Sequence, residues 1–228
     1  MKPTEEKGRR KREVRNLIIE SENNNESVMK WLDEEVGDGE NSIIIYPNLQ
    51  TLRQIYTNCV KDQLAKEEED NNNNKRNKQS KPRIIVIATF YETTDSVKHS
   101  LSAVGVDAKR YIDDGSLVVV DAFSSYYPDI DGMKKLVASL SQRAKKEGRV
   151  GVTAIVDMGF FFLFGGDGRA IELINYEASL APKTEGGNVK GFSCYHEGNY
   201  DTLKDNQKKE LAQKGKKVLE VRESTTSS

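Results

Sequence analysis

The sequence predicts an α/β domain of three layers, with a mostly parallel sheet of five or more strands and helices on both faces. Two observations carry this. Five short apolar runs recur along the chain without polar alternation, as strands buried on both faces require. Each is followed by apolar residues at helical spacing, and strand–helix alternation makes neighbouring strands run parallel. The 228 residues suit one domain, and 36% apolar against 31% charged residues leaves enough for one core.

The elements follow in order. Residues 1–26 read as a basic, disordered arm: within 1–20 seven Lys/Arg stand against four Glu, and Arg9-Arg10-Lys11-Arg12 could meet phosphates or an acidic partner. Residues 27–222 read as a single domain. A short helix comes first, with Val28, Leu32 and Val36 on one stripe and Trp31 beside it, ended by Gly37-Asp38-Gly39. Residues 42–46 form the first strand. Leu49, Leu52, Ile55, Tyr56, Cys59, Val60 and Leu64 mark the helix after it. Residues 67–82, rich in Glu, Asn and Lys, cannot bury apolar surface and read as a flexible insertion.

The rhythm resumes with a second strand at 84–88. Thr94 or Asp95 is placed to cap a helix carrying Val97, Leu101 and Val104. The third strand, 117–120, ends on Asp121. Asp129 or Asp131 opens a helix with Met133, Leu136, Val137, Leu140 and Ala144, closed by Gly148. The fourth strand, 150–156, ends on Asp157. Gly165-Gly166-Asp167-Gly168 turns into a helix with Ile171, Ile174 and Ala178, and the fifth strand is 189–195. A last helix from about residue 201 is expected to carry Leu203, Leu211, Val218 and Leu219, before a frayed tail at 223–228.

Composition excludes several classes. No apolar stretch approaches the roughly 20 residues a membrane-spanning helix needs, and the first residues lack a signal-peptide apolar core. Two cysteines are too few for a disulfide scaffold, so a cytoplasmic protein with no membrane association is expected. The net charge, 35 − 36 = −1, argues against a chain devoted to nucleic acid and leaves only the arm, residues 7–15, for such contact.

In parallel sheets ligands bind beyond the carboxyl ends of the strands. No phosphate-binding loop stands there: Tyr46-Pro47-Asn48-Leu49-Gln50-Thr51 has neither the glycines nor the lysine, and the three-glycine dinucleotide pattern is missing. Gly165-Gly166-Asp167-Gly168 could offer backbone N–H groups to an anion but reads better as a tight turn. Asp121 and Asp157 could hold magnesium at strand ends, or serve as ordinary caps. Cys194 and His196 lack the partners of a zinc site, so neither a metal nor a cofactor is expected. Cys194 is the candidate for a redox-sensitive thiol. Phe160, Phe161, Phe162 and Phe164, with Met158, make the densest aromatic cluster and could line a pocket, with Tyr126 and Tyr127 on its rim.

From about Asn41 to Val221 the chain resembles the MEDS domain, the methanogen/methylotroph DcmR-type sensory domain. The resemblance lies in Ile43-Ile44-Ile45-Tyr46, Asp114-Gly115-Ser116-Leu117 leading to Asp121, and Ala144-Lys145-Lys146-Glu147-Gly148 before Val156-Asp157-Met158-Gly159. It continues in Asn175-Tyr176-Glu177-Ala178-Ser179-Leu180 and Gly191-Phe192-Ser193-Cys194-Tyr195-His196. It implies a RecA/KaiC-like core without the Walker A motif, of archaeal or bacterial type. It also implies a non-enzymatic sensory role toward small, hydrocarbon-derived ligands in signalling or transcription regulation. On that reading Asp121, Asp157, Met158, Phe160, Glu177, Tyr195 and His196 bind a small-molecule ligand at the carboxyl edge, no residue is catalytic, and a protein partner or homodimer receives the signal. The alternatives are a degenerate RecA-like nucleotide-binding protein and a ligand-free oligomeric interaction protein.

Overall fold

The computed structural model describes residues 15–20, 25–73, 81–126, 129, 131–163, 167–180, 188–215 and 217–222. Seven strands form one all-parallel sheet: β1 (Arg15–Glu20), β2 (Glu40–Tyr46), β3 (Ile84–Thr89), β4 (Leu117–Asp121), β5 (Val152–Asp157), β6 (Val189–His196) and β7 (Lys217–Arg222). Their spatial order is β1-β7-β2-β6-β5-β3-β4. β3 and β5 are buried at every position and β2 at all but its first, which is why their sequences show no polar alternation.

Helices cover both faces. On the first face lie α1 (Asn25–Lys30), α2 (Leu49–Asn73), α3 (Thr94–Ala103) and α4 (Ala108–Asp113). Their core pairs Trp31, Leu52, Ile55, Leu101 and Tyr111 with Ile44, Ile85, Ile155 and Phe192 of the sheet. On the second lie α5 (Ala122–Tyr126), α6 (Gly132–Glu147), α7 (Asp167–Leu180) and α9 (Asp205–Gly215), with Met133, Leu140, Leu173 and Leu211 against Ile43, Val86, Ala154 and Val218. The one-turn α8 (Glu197–Tyr200) follows β6 at its carboxyl end. A buried aliphatic side chain contributes about 2 kcal/mol, so two such cores hold the three layers together. This is the three-layer α/β architecture expected from the strand–helix rhythm, and it is consistent with the RecA-like core that the resemblance implies.

Several boundaries differ from the sequence reading. Arg15–Glu20, inside the expected arm, is an edge strand that pairs with β7, and its Ile19 is buried in the first core. Val218 and Leu219 belong to β7 and face opposite cores, rather than lying on the last helix. That helix ends at Gly215, which packs so close to Ile43 that a Cβ there would come within 2.5 Å of its side chain. Helix α2 runs on to Asn73, through the first seven residues of the expected insertion; residues 74–80 lie outside the described residues, as do 1–14 and 223–228. The cap of α3 is Thr93, whose side chain accepts from Ser96 N at 3.1 Å, one residue before the expected Thr94. Gly148 closes α6 at φ 69°, as its sequence position suggests.

The topology positions the candidate sites. From β2 the chain crosses the first face through α2 to β3; from the adjacent β6 it crosses the second face through α9 to β7. Adjacent strands that depart to opposite faces open a crevice at their carboxyl ends. Tyr46 and His196 are register partners at that point.

Candidate functional site: a cavity on the α6–α7 face

Sheet alternation divides the expected site residues between two places. Along β6, Ser193 and Tyr195 face the second layer, while Phe192 and Cys194 face the first. Asp157, Cys194 and His196 therefore gather on the first face near the carboxyl edge. Glu177, Tyr195, Met158 and Phe160 lie on the second. Asp121 is in neither group: at the end of the outermost strand β4 it accepts from Ser124 N at 2.6 Å and caps α5.

At the carboxyl edge the crevice is filled by side chains of the protein itself. Tyr46 meets His196 edge to face at 5.5 Å, and Tyr91 lies 5.9 Å from His196 and 4.9 Å from Phe90. Asn199 of α8 donates to the Tyr91 hydroxyl. Asp157 is buried beneath them; its Oδ1 accepts from Gly159 N at 3.0 Å and its Oδ2 from Tyr91 N at 3.4 Å. Burial outweighs those donors and raises its pKa to about 6. The buried Tyr46 hydroxyl stands beside this carboxylate, outside hydrogen-bond geometry, and burial together with the negative neighbour raises its pKa.

The start of α2, where a phosphate loop would deliver an anion, is capped internally. Asn48 Oδ1 accepts from Thr51 N at 2.9 Å and Asn48 O from Leu52 N at 3.2 Å. Cys194, expected as a redox-sensitive thiol, is fully buried, and burial pushes its thiol well up. Reactive thiols need the opposite, an exposed and electropositive setting. Among the described residues no group of three or more His, Cys, Asp or Glu could hold a metal ion.

The second face holds a cavity of about 390 Å³ between α6 and α7. It lies over the amino-terminal half of β2 and β6 rather than beyond the carboxyl edge. Its walls are Met133, Val137 and Ala138 of α6 and Tyr176, Ser179 and Leu180 of α7; its floor includes Ala154, Gly191, Ser193 and Asn41. The space exists because those floor residues are small. Volumes of this size, with mostly apolar walls and a few convergent polar groups, are typical of small-molecule sites.

The polar groups converge under the floor. Glu177, expected as a ligand contact, is 1% exposed. The Tyr195 hydroxyl donates to its Oε1, and Asn41 Nδ2 donates to its Oε2 at 2.6 Å and also to Ser193 Oγ at 3.1 Å. Burial raises the Glu177 pKa to about 7, against the opposing effect of the Tyr195, Ser193 and Asn41 donors. Glu177 is held just behind the cavity, and Asn41 and Ser193 form the surface a ligand would meet.

The aromatic cluster serves this wall indirectly. Phe160 stacks on Tyr126 at 4.1 Å, and Phe161 lies 5.4 Å from Tyr176, so the two phenylalanines back the two tyrosines that reach the cavity. Phe164 and Tyr127 fall outside the described residues, as does the Gly165-Gly166 turn. Sequence reasoning missed Asn41, Ser193, Gly191 and Val137. The one available signal was the run of small residues at alternate positions, Gly191 and Ser193 on β6 beside Ala154 on β5.

The fold and this cavity define a class: a RecA-like α/β domain whose phosphate position is closed and whose open site lies on a helix-covered sheet face. No protein-family model matches the chain, and no curated protein matches it. Among the described residues no helix is long and apolar enough to cross a membrane.

Proposed function

We propose that the protein is a non-enzymatic sensory module that binds a small, largely apolar molecule in the α6–α7 cavity and passes its occupancy to a partner or to transcription. The observation that carries this reading is the cavity itself: about 390 Å³, walled by apolar side chains over a buried polar floor. The resemblance to the MEDS domain supports a sensory role and a hydrocarbon-derived ligand. The degenerate nucleotide reading is less well supported, because Asn48 caps the start of α2 and the buried Asp157 would repel phosphate.

A fragment library screened by ligand-observed NMR tests the reading. Ala138 lies on α6, half-buried at the cavity wall, so Ala138→Trp fills the space with little strain on the core. Fragments should bind the native protein and be lost in this variant. An absence of hits, or hits indifferent to the substitution, would sink the proposal.

A further inference from the structure

The inference rests on the cavity reading and concerns the chemistry the cavity selects. Asn41 lies across the floor with its two ends in different surroundings. Its Nδ2 group is committed to Glu177 Oε2 and Ser193 Oγ. Above its pKa of about 7 the Glu177 carboxylate is ionised and only accepts hydrogen bonds, so it fixes which end of the amide faces it. The oxygen Oδ1 is thereby turned over Gly191, where a Cβ would come within 2.3 Å of it. Gly191 is part of the cavity floor, so its missing side chain is what allows the oxygen to lie there. Asn41 is 8% exposed, and among the described residues its Oδ1 accepts no hydrogen bond. An acceptor left without a protein donor and facing an open volume is a position where a ligand can supply the donor.

Two further observations give the donor a charge. The hydrogen-bond partners of Glu177 among the described residues are all neutral: Tyr195, Asn41 and Ser193. Its negative charge therefore acts into the cavity through a medium that screens poorly. The aromatic wall is also suited to a cation, because Lys134 Nζ already sits 4.8 Å over the Tyr176 ring at the rim. The two rim lysines are paired, Lys134 with Asp131 at 2.7 Å and Lys135 with Asp129, so they leave little net positive charge to oppose entry.

We propose that the cavity takes a small apolar amine in its protonated form, the ammonium donating to Asn41 Oδ1 and the hydrocarbon body lying against Met133, Val137 and Ala154. A neutral alcohol satisfies the oxygen but gains nothing from Glu177, and a carboxylate is repelled by both.

The test uses three probes with one body and different heads: cyclohexylamine, cyclohexanol and cyclohexanecarboxylate. Each is titrated into the full chain at pH 8 and followed by ligand-observed NMR, with Ala138→Trp as the control for location. The amine should bind at least tenfold more tightly than the alcohol, and the carboxylate should not bind detectably. Glu177→Gln removes the charge and lets the Asn41 amide turn round to meet the new amide. Amine affinity should then fall at least tenfold while that of the alcohol changes little.

Equal or weaker binding of the amine in the native protein overturns the head-group assignment and leaves the cavity reading standing; that comparison needs no variant. Unchanged amine affinity in Glu177→Gln overturns it as well. Binding of all three that survives Ala138→Trp overturns the cavity reading. If none of the three probes binds, the amine assignment is overturned, and the wider fragment screen then decides the cavity.

Discussion

Replacing Glu177 by Gln should change how stability depends on pH, and the size of the change follows from the structure. Glu177 is 1% exposed, so solvent does little to screen the cost of its charge. Its pKa is about 7 in the folded protein against an ordinary value of 4.5. A raised pKa means that the native state binds more protons than the unfolded chain between those values, so stability falls as pH rises through that window. Moving from 4.5 to about 7, at roughly 1.4 kcal/mol per pH unit, amounts to about 3 kcal/mol. Gln has nearly the same shape, still accepts from Tyr195, and does not titrate. Equilibrium urea unfolding of both proteins from pH 4.5 to 8.5 measures the difference directly. The variant should gain about 3 kcal/mol relative to the native protein across the window. Asp157, raised to about 6, titrates in both proteins and cancels. Parallel stability curves would refute the reasoning, because Glu177 would then be ionised in the folded protein at no cost.

Three other outcomes are expected. Cys59 and Cys194 are both buried and outside any disulfide, so neither should react with a thiol reagent until the protein unfolds; fast labelling under native conditions would contradict the packing. Gly191→Val should cost about 1–3 kcal/mol in denaturant unfolding, because even its Cβ would collide with Asn41 Oδ1, and loss of probe binding should accompany it. Glu92 accepts from Arg53 Nε at 3.0 Å, Tyr56 Oη at 3.0 Å and Ser96 Oγ at 2.8 Å. Glu92→Ala removes the acceptor of a buried tyrosine hydroxyl and should cost about 2 kcal/mol, less than a fully buried pair because Arg53 is half-exposed; an unchanged midpoint would show that water replaces the carboxylate.

Strands β2 to β6 were legible because each carries a largely apolar run, most clearly where burial on both faces leaves Ile43-Ile44-Ile45 and Ile84-Ile85-Val86-Ile87. Strands β1 and β7 were not. Leu17-Ile18-Ile19 sits among charges, and only Ile19 is buried, so its composition resembles an arm. Val218 and Leu219 follow Leu211 at seven and eight residues, a spacing that also fits a helix, and periodicity alone cannot separate the two. The far end of α2 has no apolar stripe to announce it. At the site, Asp157, Glu177 and Tyr195 stood out as residue types at strand ends and on a helix. Their division between two faces depends on strand register and on which helix covers each side, and no local pattern carries that. The cavity was least legible of all. It is made by what Ala154, Gly191 and Ser193 lack, and missing volume becomes visible only once α6 and α7 are set above it.

The strand order has a consequence for synthesis on the ribosome. β2 sits inside the sheet between β6 and β7, yet 189 − 46 = 143 positions separate its last residue from the first of β6. At about 5–20 residues per second, the nascent chain carries Ile43–Ile45 without either neighbour for roughly 7–30 s. β3, β4 and β5 can pair with one another in the meantime. Among the strands flanked on both sides, β2 with its Ile43–Ile45 is thus the one that waits longest for a partner, and a helper that shields extended aliphatic segments has its natural target there.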